Sequence, residues 1–302
     1  MSQTTIFKFL KTGLHTTIQD AGRLGQQHLG IPTGGVLDHQ AAQTANWLVG
    51  NPLDSPVLEI TMMGPSIQIQ APCQIALTGA HLSPTLNQKR IKHYRTISIQ
   101  KPSILNFGAL KSGCRTYLAI RGTWQVRPWL SSYSAASTNS SQLTPDSVFK
   151  VNSQFMIVAP NFIEPRKIKK ANRPVYNNHL HVRVLAGPEF KQFSKINIAT
   201  FFSQIYTISN QSNRMGCRLE GRFLDADQRT ELISSGIVPG TIQITHAGQP
   251  ILLMKDAQTT GGYPRIATII VEDLDKIAQL KPRDTLQFSL IQLKDIHPQN
   301  IM

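Results

Sequence analysis

The sequence predicts a mainly β protein with few helices. Short apolar runs of strand length recur between residues 58 and 120, and glycine, proline and polar turn residues separate them. In the run at 58–62, apolar residues alternate with polar ones, as in a strand with one buried face. Short strands at this close spacing are typical of barrels and sandwiches rather than of alternating α/β folds.

The N-terminal half opens with a predicted strand at residues 5–10. A loop rich in glycine and polar residues follows at 19–35, and an ordered loop of this length inside a domain is usually functional. Asp38 then caps the clearest helix of this half. Alanine, leucine and valine form one apolar stripe along that helix, and Gly50 ends it.

The composition indicates two domains. Residues 131–147 are rich in serine, which predicts a flexible loop. Residues 161–178 are basic and contain two prolines, as a linker would, so we expect one β-barrel-like domain at 1–165 and another at 176–302.

The C-terminal half repeats the pattern of short strands with few helices. A helix is expected at 188–202, and Asp273 is expected to cap a second, short one. Strands are predicted at 180–184, 242–244, 251–254, 266–271 and 286–290.

Charge and composition exclude several classes of function. The 302 residues carry a net charge of +14, but the basic residues are scattered except at 166–173, which we interpret as a solvated linker. Specific nucleic-acid binding is therefore not expected. No apolar run is long enough to cross a membrane, and no signal peptide is seen, so a cytoplasmic protein is expected. The three cysteines are far apart and lack the spacing of a metal site, so no structural metal is expected.

The segment 255–265 is the strongest candidate site. It lies between two apolar runs, and it combines hydroxyls, an amide, a carboxylate and two glycines that could bind a small ligand. The alternative is an ordinary Gly-Gly hairpin connection between the two flanking strands. The candidate substrate-binding residues are Gln258, Thr259, Thr260, Gly261, Gly262 and Tyr263.

Two charged residues are the catalytic candidates. Arg214, on a turn beside a glycine, could hold a substrate carboxylate with its two-pronged guanidinium, or it could form a salt bridge to Glu220 or Asp20. Asp256 is a candidate general base or a partner for Arg214. The neighbouring Lys255 is interpreted as an ordinary surface lysine.

Several motifs in the same order resemble the allophanate hydrolase subunit 2 family, which is also called the biotin-dependent carboxyltransferase-like family or the KipA family and includes the C-type subunits of 5-oxoprolinase. The resemblance spans nearly the whole chain. The motifs are TIQDAGRLG at 17–25, ANWLVGNP at 45–52, LEITMMGP at 58–65, ALTGA at 76–80, RTYLAIRG at 115–122, RMGCRLEG at 214–221 and QTTGGYP at 258–264.

The resemblance implies two cyclophilin-like β-barrel halves and a place in an enzyme complex. The implied function is that of the C-type subunit in a prokaryotic ATP-dependent 5-oxoprolinase, which cleaves 5-oxo-L-proline to L-glutamate together with A-type and B-type subunits. ATP and magnesium belong to the complex, and the B-type partner resembles KipI or allophanate hydrolase subunit 1. The chain alone is expected to be inactive.

Two other functions stay open within the same resemblance. One is a carboxyltransferase component of the urea carboxylase type, which would use biotin carried elsewhere. The other is a KipA-like regulator that antagonises a kinase inhibitor. In each enzymatic case, we expect Gln19, Asp20 and Arg23 of the first loop to bind substrate near the segment 255–265.

The chain departs from the family pattern at three places: Gly34 stands where a serine is expected, Thr123 where a glycine is expected, and the third departure bears on activity. The family's Leu-Gly-Ser-Arg-Ser-Thr motif reads Leu-Ser-Ser-Tyr-Ser-Ala at 130–135, so Tyr133 stands where an arginine is expected. If that arginine is catalytic in relatives, this chain is altered in activity or specificity.

Overall fold

The prediction of a mainly β protein is confirmed. A computed structural model describes residues 3–70, 72–136, 142–224 and 232–295, and these form 21 strands and three α-helices. The chain divides into two compact units. Unit 1 contains residues 1–24 and 34–176, and unit 2 contains residues 25–33 and 177–302.

Unit 1 is built from two antiparallel sheets. Its strands are β1 (Gln3–Lys11), β2 (His15–Gln19), β3 (Val57–Thr61), β4 (Ser66–Ile69), β5 (Cys73–His81), β6 (Thr85–Leu86), β7 (Lys89–Arg90), β8 (Thr96–Ile99), β9 (Ser103–Asn106), β10 (Ser112–Ile120), β11 (Thr123–Trp124) and β12 (Gln154–Ala159). The order is β11-β12-β1-β4-β9-β6-β7 in the seven-stranded sheet and β2-β3-β10-β5-β8 in the five-stranded sheet.

The main core of unit 1 lies between these sheets. Phe7 and Phe9 of β1 pack in one cluster with Ile75 of β5 and Leu118 of β10, all with no exposed surface. Apolar side chains of period two on facing sheets produce this layer.

The five-stranded sheet is also covered on its other face, by the helix α1 (His39–Val49). Asp38 is the N-cap, since its side chain accepts from the Ala41 amide at 2.8 Å, and Gly50 ends the helix in the left-handed conformation, as predicted. Tyr117 and Ala119 of β10 face the helix, while their sequence neighbours face the main core. The central strands are therefore buried on both faces.

Unit 2 is a closed barrel. Its strands are β13 (His179–Ala186), β14 (Tyr206–Ile208), β15 (Gly216–Glu220), β16 (Ser235–Gly236), β17 (Thr241–Ile244), β18 (Pro250–Leu253), β19 (Thr260–Gly261), β20 (Arg265–Ile269) and β21 (Thr285–Leu290). Seven of them close in the order β13-β20-β17-β18-β15-β14-β21, and β16 pairs with β19 in a small separate sheet. Closure removes the free edges that an open sheet would leave.

The helices of unit 2 differ from their predictions. The expected helix at 188–202 begins later, as α2 (Lys195–Ser203), whose Phe201 stacks on Phe288 of β21. Asp273 does not cap the last helix, α3 (Val271–Ile277); the N-cap is Ile270. Asp273 instead accepts from Arg183 on β13, so a tertiary ion pair uses the carboxylate that would have capped the helix.

The hairpin alternative for the segment 255–265 is wrong. The flanking strands β18 and β20 do not pair with each other, because both pair with β17, on its opposite sides. The segment therefore crosses from one side of β17 to the other, which a tight hairpin turn cannot do.

The basic segment at 166–173 is not a solvated linker throughout. Arg166 donates to the Trp47 carbonyl at 2.7 Å and lies over the Trp47 ring, and Arg173 lies over the Tyr94 ring. The segment thus packs as part of unit 1, up to Tyr176. In the ranges that the structure describes, no helix has the length and apolar character needed to cross a membrane.

Candidate functional site

Arg214 and Asp256 form a closed ion pair in unit 2. The Arg214 Nε lies 2.9 Å from Asp256 Oδ2, and Nη2 lies 2.9 Å from Oδ1. The two side chains are only 9% and 8% exposed. Of the partners considered for Arg214, the structure shows the ion pair with Asp256.

Backbone hydrogen bonds hold the same two segments together. The Asp256 amide donates to the Arg214 carbonyl at 3.0 Å, and the Met254 amide donates to the Met215 carbonyl at 3.0 Å. The turn before β15 and the turn after β18 are thus joined by both main chain and side chains. A bidentate guanidinium–carboxylate pair adds geometric specificity to this junction.

A second ion pair, between Arg265 and Glu189, holds the C-terminal end of the segment 255–265. We call this pair and the pair of Arg214 with Asp256 the two arginine clamps. Arg265 Nε donates to Glu189 Oε2 at 2.7 Å, Nη2 donates to Oε1 at 2.6 Å, and Nη1 donates to the Gly236 carbonyl at 3.1 Å. The hydrogen bond from Arg265 lowers the pKa of Glu189 below its usual range, although burial opposes that shift. Nothing in the sequence points to Glu189, which lies 76 residues away from Arg265.

Between the two arginine clamps, a hydrogen bond from Gln243 holds the backbone of the segment 255–265. The Gln243 Nε2 donates to the Tyr263 carbonyl at 3.2 Å. A Cβ added at Gly261 would come within 2.8 Å of that same nitrogen, so glycine permits this close approach.

The remaining residues of the segment 255–265 differ in their contacts and in their exposure to solvent. Thr260 and Gly261 pair with β16, which orders the tip. Tyr263 meets the ring of His246 edge to face at 5.1 Å. Gln258 and Thr260 are exposed, whereas Thr259 and the two glycines are half-buried. The amide and hydroxyl of the exposed pair are thus the groups most available to a ligand.

Lys255 is not an ordinary surface lysine. It is half-buried, and both burial and the nearby charge of Arg214 lower its pKa, while Asp275 opposes the shift. The Thr33 hydroxyl, in the part of the first loop that belongs to unit 2, donates to the Lys255 carbonyl at 3.3 Å. A lysine with a lowered pKa can exchange a proton nearer neutral pH.

In unit 1, Asp20 is the centre of a buried hydrogen-bond cluster. Its Oδ1 accepts from the hydroxyls of Ser132 and Ser134 at 2.6 Å each and from the Gly22 amide at 2.8 Å. Its Oδ2 accepts from the Tyr133 amide at 2.6 Å. The carboxylate is therefore saturated by the chain itself and holds the segment 129–135 against the first loop.

Arg23 and Gln19 are buried beside this cluster. Arg23 donates to the carbonyls of Trp129 and Ser134, and its guanidinium lies 4.7 Å from the centroid of the Trp129 ring. The Gln19 amide nitrogen donates to the Thr17 hydroxyl at 3.0 Å. The three predicted substrate-binding residues of unit 1 are thus 1–7% exposed.

Tyr133, at the position where the family pattern has an arginine, contacts Asp20 and Ser147 through its backbone and supplies no positive charge. Its amide binds Asp20, its carbonyl accepts from the Ser147 hydroxyl at 2.7 Å, and its half-buried ring packs against the main core. Within the ranges described, no group of three or more histidine, cysteine, aspartate or glutamate residues is arranged to hold a metal.

Comparisons with known proteins identify relatives over nearly the full length. Residues 29–290 match the family described as carboxyltransferase domain, subdomain A and B. The chain is 34% identical over 292 residues to the C subunit of 5-oxoprolinase from Escherichia coli K12, and the match covers 96% of this chain and 93% of that protein. It is 31% identical over 279 residues to the C subunit of 5-oxoprolinase from Haemophilus influenzae, with 92% and 89% covered.

A solved structure is similar in fold as well as sequence. The crystal structure of the K. lactis urea amidolyase superposes with a TM-score of 0.86 at 29% identity. The match covers 95% of this chain but 19% of that enzyme, so the chain corresponds to about a fifth of its length.

Proposed function

Because this chain belongs to the carboxyltransferase domain family, subdomains A and B, we propose that it is the C-type subunit of an ATP-dependent 5-oxoprolinase. In this reaction, 5-oxo-L-proline is opened to L-glutamate. The supporting observation is the end-to-end match with two 5-oxoprolinase C subunits, which leaves little of either protein unaligned. The urea amidolyase match involves a small part of a much larger enzyme.

The loop of unit 2 carries groups that suit this substrate. A lactam offers one N–H donor and one carbonyl acceptor, and the exposed Gln258 amide and Thr260 hydroxyl can complement both. We assign substrate contacts to these two residues and to Thr259, Gly261, Gly262 and Tyr263. The close support from Gln243 and the two arginine clamps would keep such contacts preorganised.

The catalytic candidates Arg214 and Asp256 act, in this proposal, as a pair. Each already satisfies the other, so neither is a lone base or a lone anion receptor. Their role is to position the loop and to set the charge beside Lys255. Gln19, Asp20 and Arg23 act as positioning residues in unit 1, since their polar atoms bind the chain itself.

In this proposal, ATP and magnesium act at the level of the complex, where the phosphoryl transfer takes place. An unstrained lactam opens slowly, so coupling to ATP implies activation by phosphoryl transfer, which needs a phosphate loop or carboxylates on magnesium. Subunits of the A and B type would supply this step, and the B-type one is the direct partner.

The test is to co-express the chain with A-type and B-type subunits and to follow carbon-labelled 5-oxoproline. We expect ATP-dependent release of labelled glutamate and co-purification with the B-type subunit. Stable complexes without glutamate formation would reject the proposal.

A carboxyltransferase function is the second candidate, and the urea amidolyase similarity favours it. The discriminating assay offers carboxybiotin and urea to the same preparation. Carboxyl transfer to urea without lactam opening would establish this alternative. A regulator of the KipA type would be indicated if the chain bound a B-type partner and supported neither reaction.

A further inference from the structure

A strongly basic groove lies in unit 1 and includes none of the residues assigned to substrate. Its volume is about 390 Å³, within the range of small-molecule sites. Five basic residues line it together with apolar side chains, and no carboxylate does. The basic residues are Arg90, Lys92, Arg95, Arg166 and Lys167.

The floor of the groove is rigid. Arg95 and Lys167 are paired across an antiparallel bridge. Next to this bridge, the Thr96 amide donates to the Arg166 carbonyl at 2.9 Å, and the Arg166 amide donates to the Thr96 hydroxyl at 2.9 Å. The backbone therefore fixes where the side chains of Arg95 and Lys167 begin.

The pairing of Arg95 with Lys167 is unfavourable by itself. Like charges directly opposite each other across a β pair destabilise it. Arg166 is engaged elsewhere, on Trp47, but no carboxylate of the described ranges pairs with Arg90, Lys92, Arg95 or Lys167. An anion between the paired cations would reverse the sign of their interaction.

We propose that this groove binds the diphosphate or triphosphate group of a small molecule. Four cations around one cavity match several negative charges, whereas a single carboxylate would neutralise only one. Two of the four are arginines, whose planar forks suit phosphate oxygens, and Ile91, Ile97 and Pro165 supply an apolar wall for an attached organic group. With no carboxylate to hold a metal, the groove binds phosphates and does not transfer them.

The proposal is independent of the lactam chemistry, since none of these residues belongs to the substrate loops. Isothermal titration with inorganic pyrophosphate, ADP and AMP tests it, using the full chain. We expect pyrophosphate and ADP to bind, AMP to bind more weakly, and added salt to weaken all three. Tighter binding of ADP than of pyrophosphate would identify a nucleotide as the source, and equal binding would identify free polyphosphate.

Matched variants separate the groove from general surface charge. Arg95→Gln with Lys167→Gln should weaken pyrophosphate binding at least about tenfold, because two charge-assisted contacts are lost. Lys101→Gln with Lys111→Gln removes the same charge from exposed positions outside the groove and should leave binding within about twofold. Equal losses in both variants would overturn the proposal. So would a single-stranded oligonucleotide that binds more tightly than pyrophosphate and loses its binding in the groove variant.

Discussion

Arg214 and Asp256 are joined by two parallel hydrogen bonds of 2.9 Å in a buried part of the barrel unit. Removing one partner of such a pair leaves an uncompensated buried charge, which typically costs about 3–5 kcal/mol. We predict that Arg214→Met and Asp256→Asn each lower the free energy of unfolding by about this amount. Chemical denaturation followed by tryptophan fluorescence and circular dichroism measures it.

The double variant tests whether the Arg214–Asp256 pair only positions the loop or takes part in the reaction. Arg214→Met with Asp256→Asn removes both charges of this ion pair, so the double variant should be more stable than the sum of the single losses implies. If the pair serves only to position the loop, the reconstituted complex with this variant should keep measurable turnover. Complete loss of turnover in a stably folded double variant would instead assign the pair a direct part in the reaction.

The Arg265–Glu189 clamp should depend on the shape of the guanidinium and not only on its charge. Arg265→Lys keeps the charge but cannot reproduce contacts to both Glu189 oxygens and to the Gly236 carbonyl. We expect a loss of about 1–3 kcal/mol in unfolding free energy. The control is Arg127→Lys in the exposed pair with Asp146, where no measurable change is expected. Similar losses of unfolding free energy in both variants would show that the Arg265–Glu189 pair does not depend on the shape of the guanidinium.

His93 should make unit 1 sensitive to acid. Its ring is buried against His81, neither ring nitrogen has a hydrogen-bond partner among the described residues, and burial lowers its pKa to about 3. The charges of His81 and Arg173 add to this shift. Because the unfolded chain binds this proton more readily, the stabilisation is complete above pH 6.5 and is lost as the pH falls towards 3.

The measurement compares unfolding free energies from pH 7.5 to 4 in the parent and in His93→Phe. The difference between a pKa of 6.5 and one of about 3 corresponds to on the order of 5 kcal/mol over the full pH range, of which the part above pH 4 is accessible. The variant should lose stability less steeply with falling pH. Parallel curves for the two proteins would show that His93 does not titrate as described.

The Asp20 cluster should hold the segment 129–135 in place. In Asp20→Asn, one acceptor oxygen becomes an NH₂ group, which faces either the Tyr133 amide or the two serine hydroxyls. An unsatisfied buried donor costs about 1–3 kcal/mol, so faster amide hydrogen exchange is expected at Tyr133. Asp54→Asn, at an exposed aspartate, is the control and should leave that exchange unchanged. Unaltered exchange at Tyr133 in Asp20→Asn would reject the role.

Features with local causes were predictable from the sequence. The helix α1 carries its own signals, since Asp38 caps it, alanines form its stripe and Gly50 ends it. Period-two alternation likewise predicts many of the strands. The sequence also offers Asp256 as a partner for Arg214, as an alternative to a general base, and the structure pairs the two residues.

Features with distant causes were not predictable. Asp273 has the local chemistry of a cap, but Arg183, 90 residues away, takes its carboxylate. The segment 255–265 looks like a hairpin because nothing local shows that β17 lies between its flanking strands. Lys255 was assigned to the surface since its burial depends on tertiary packing, which also lowers its pKa. The support from Glu189 and Gln243 has no sequence signal at all.

The most direct test of the account is to titrate this chain into fixed amounts of the A-type and B-type subunits, with 5-oxoproline, ATP and magnesium present. We predict no glutamate without the chain, a rate that rises with the concentration of the chain, and saturation at a fixed ratio to the B-type subunit. We also predict no turnover by the chain alone. Full-rate glutamate formation in its absence, or by this chain without partners, would contradict the central claim.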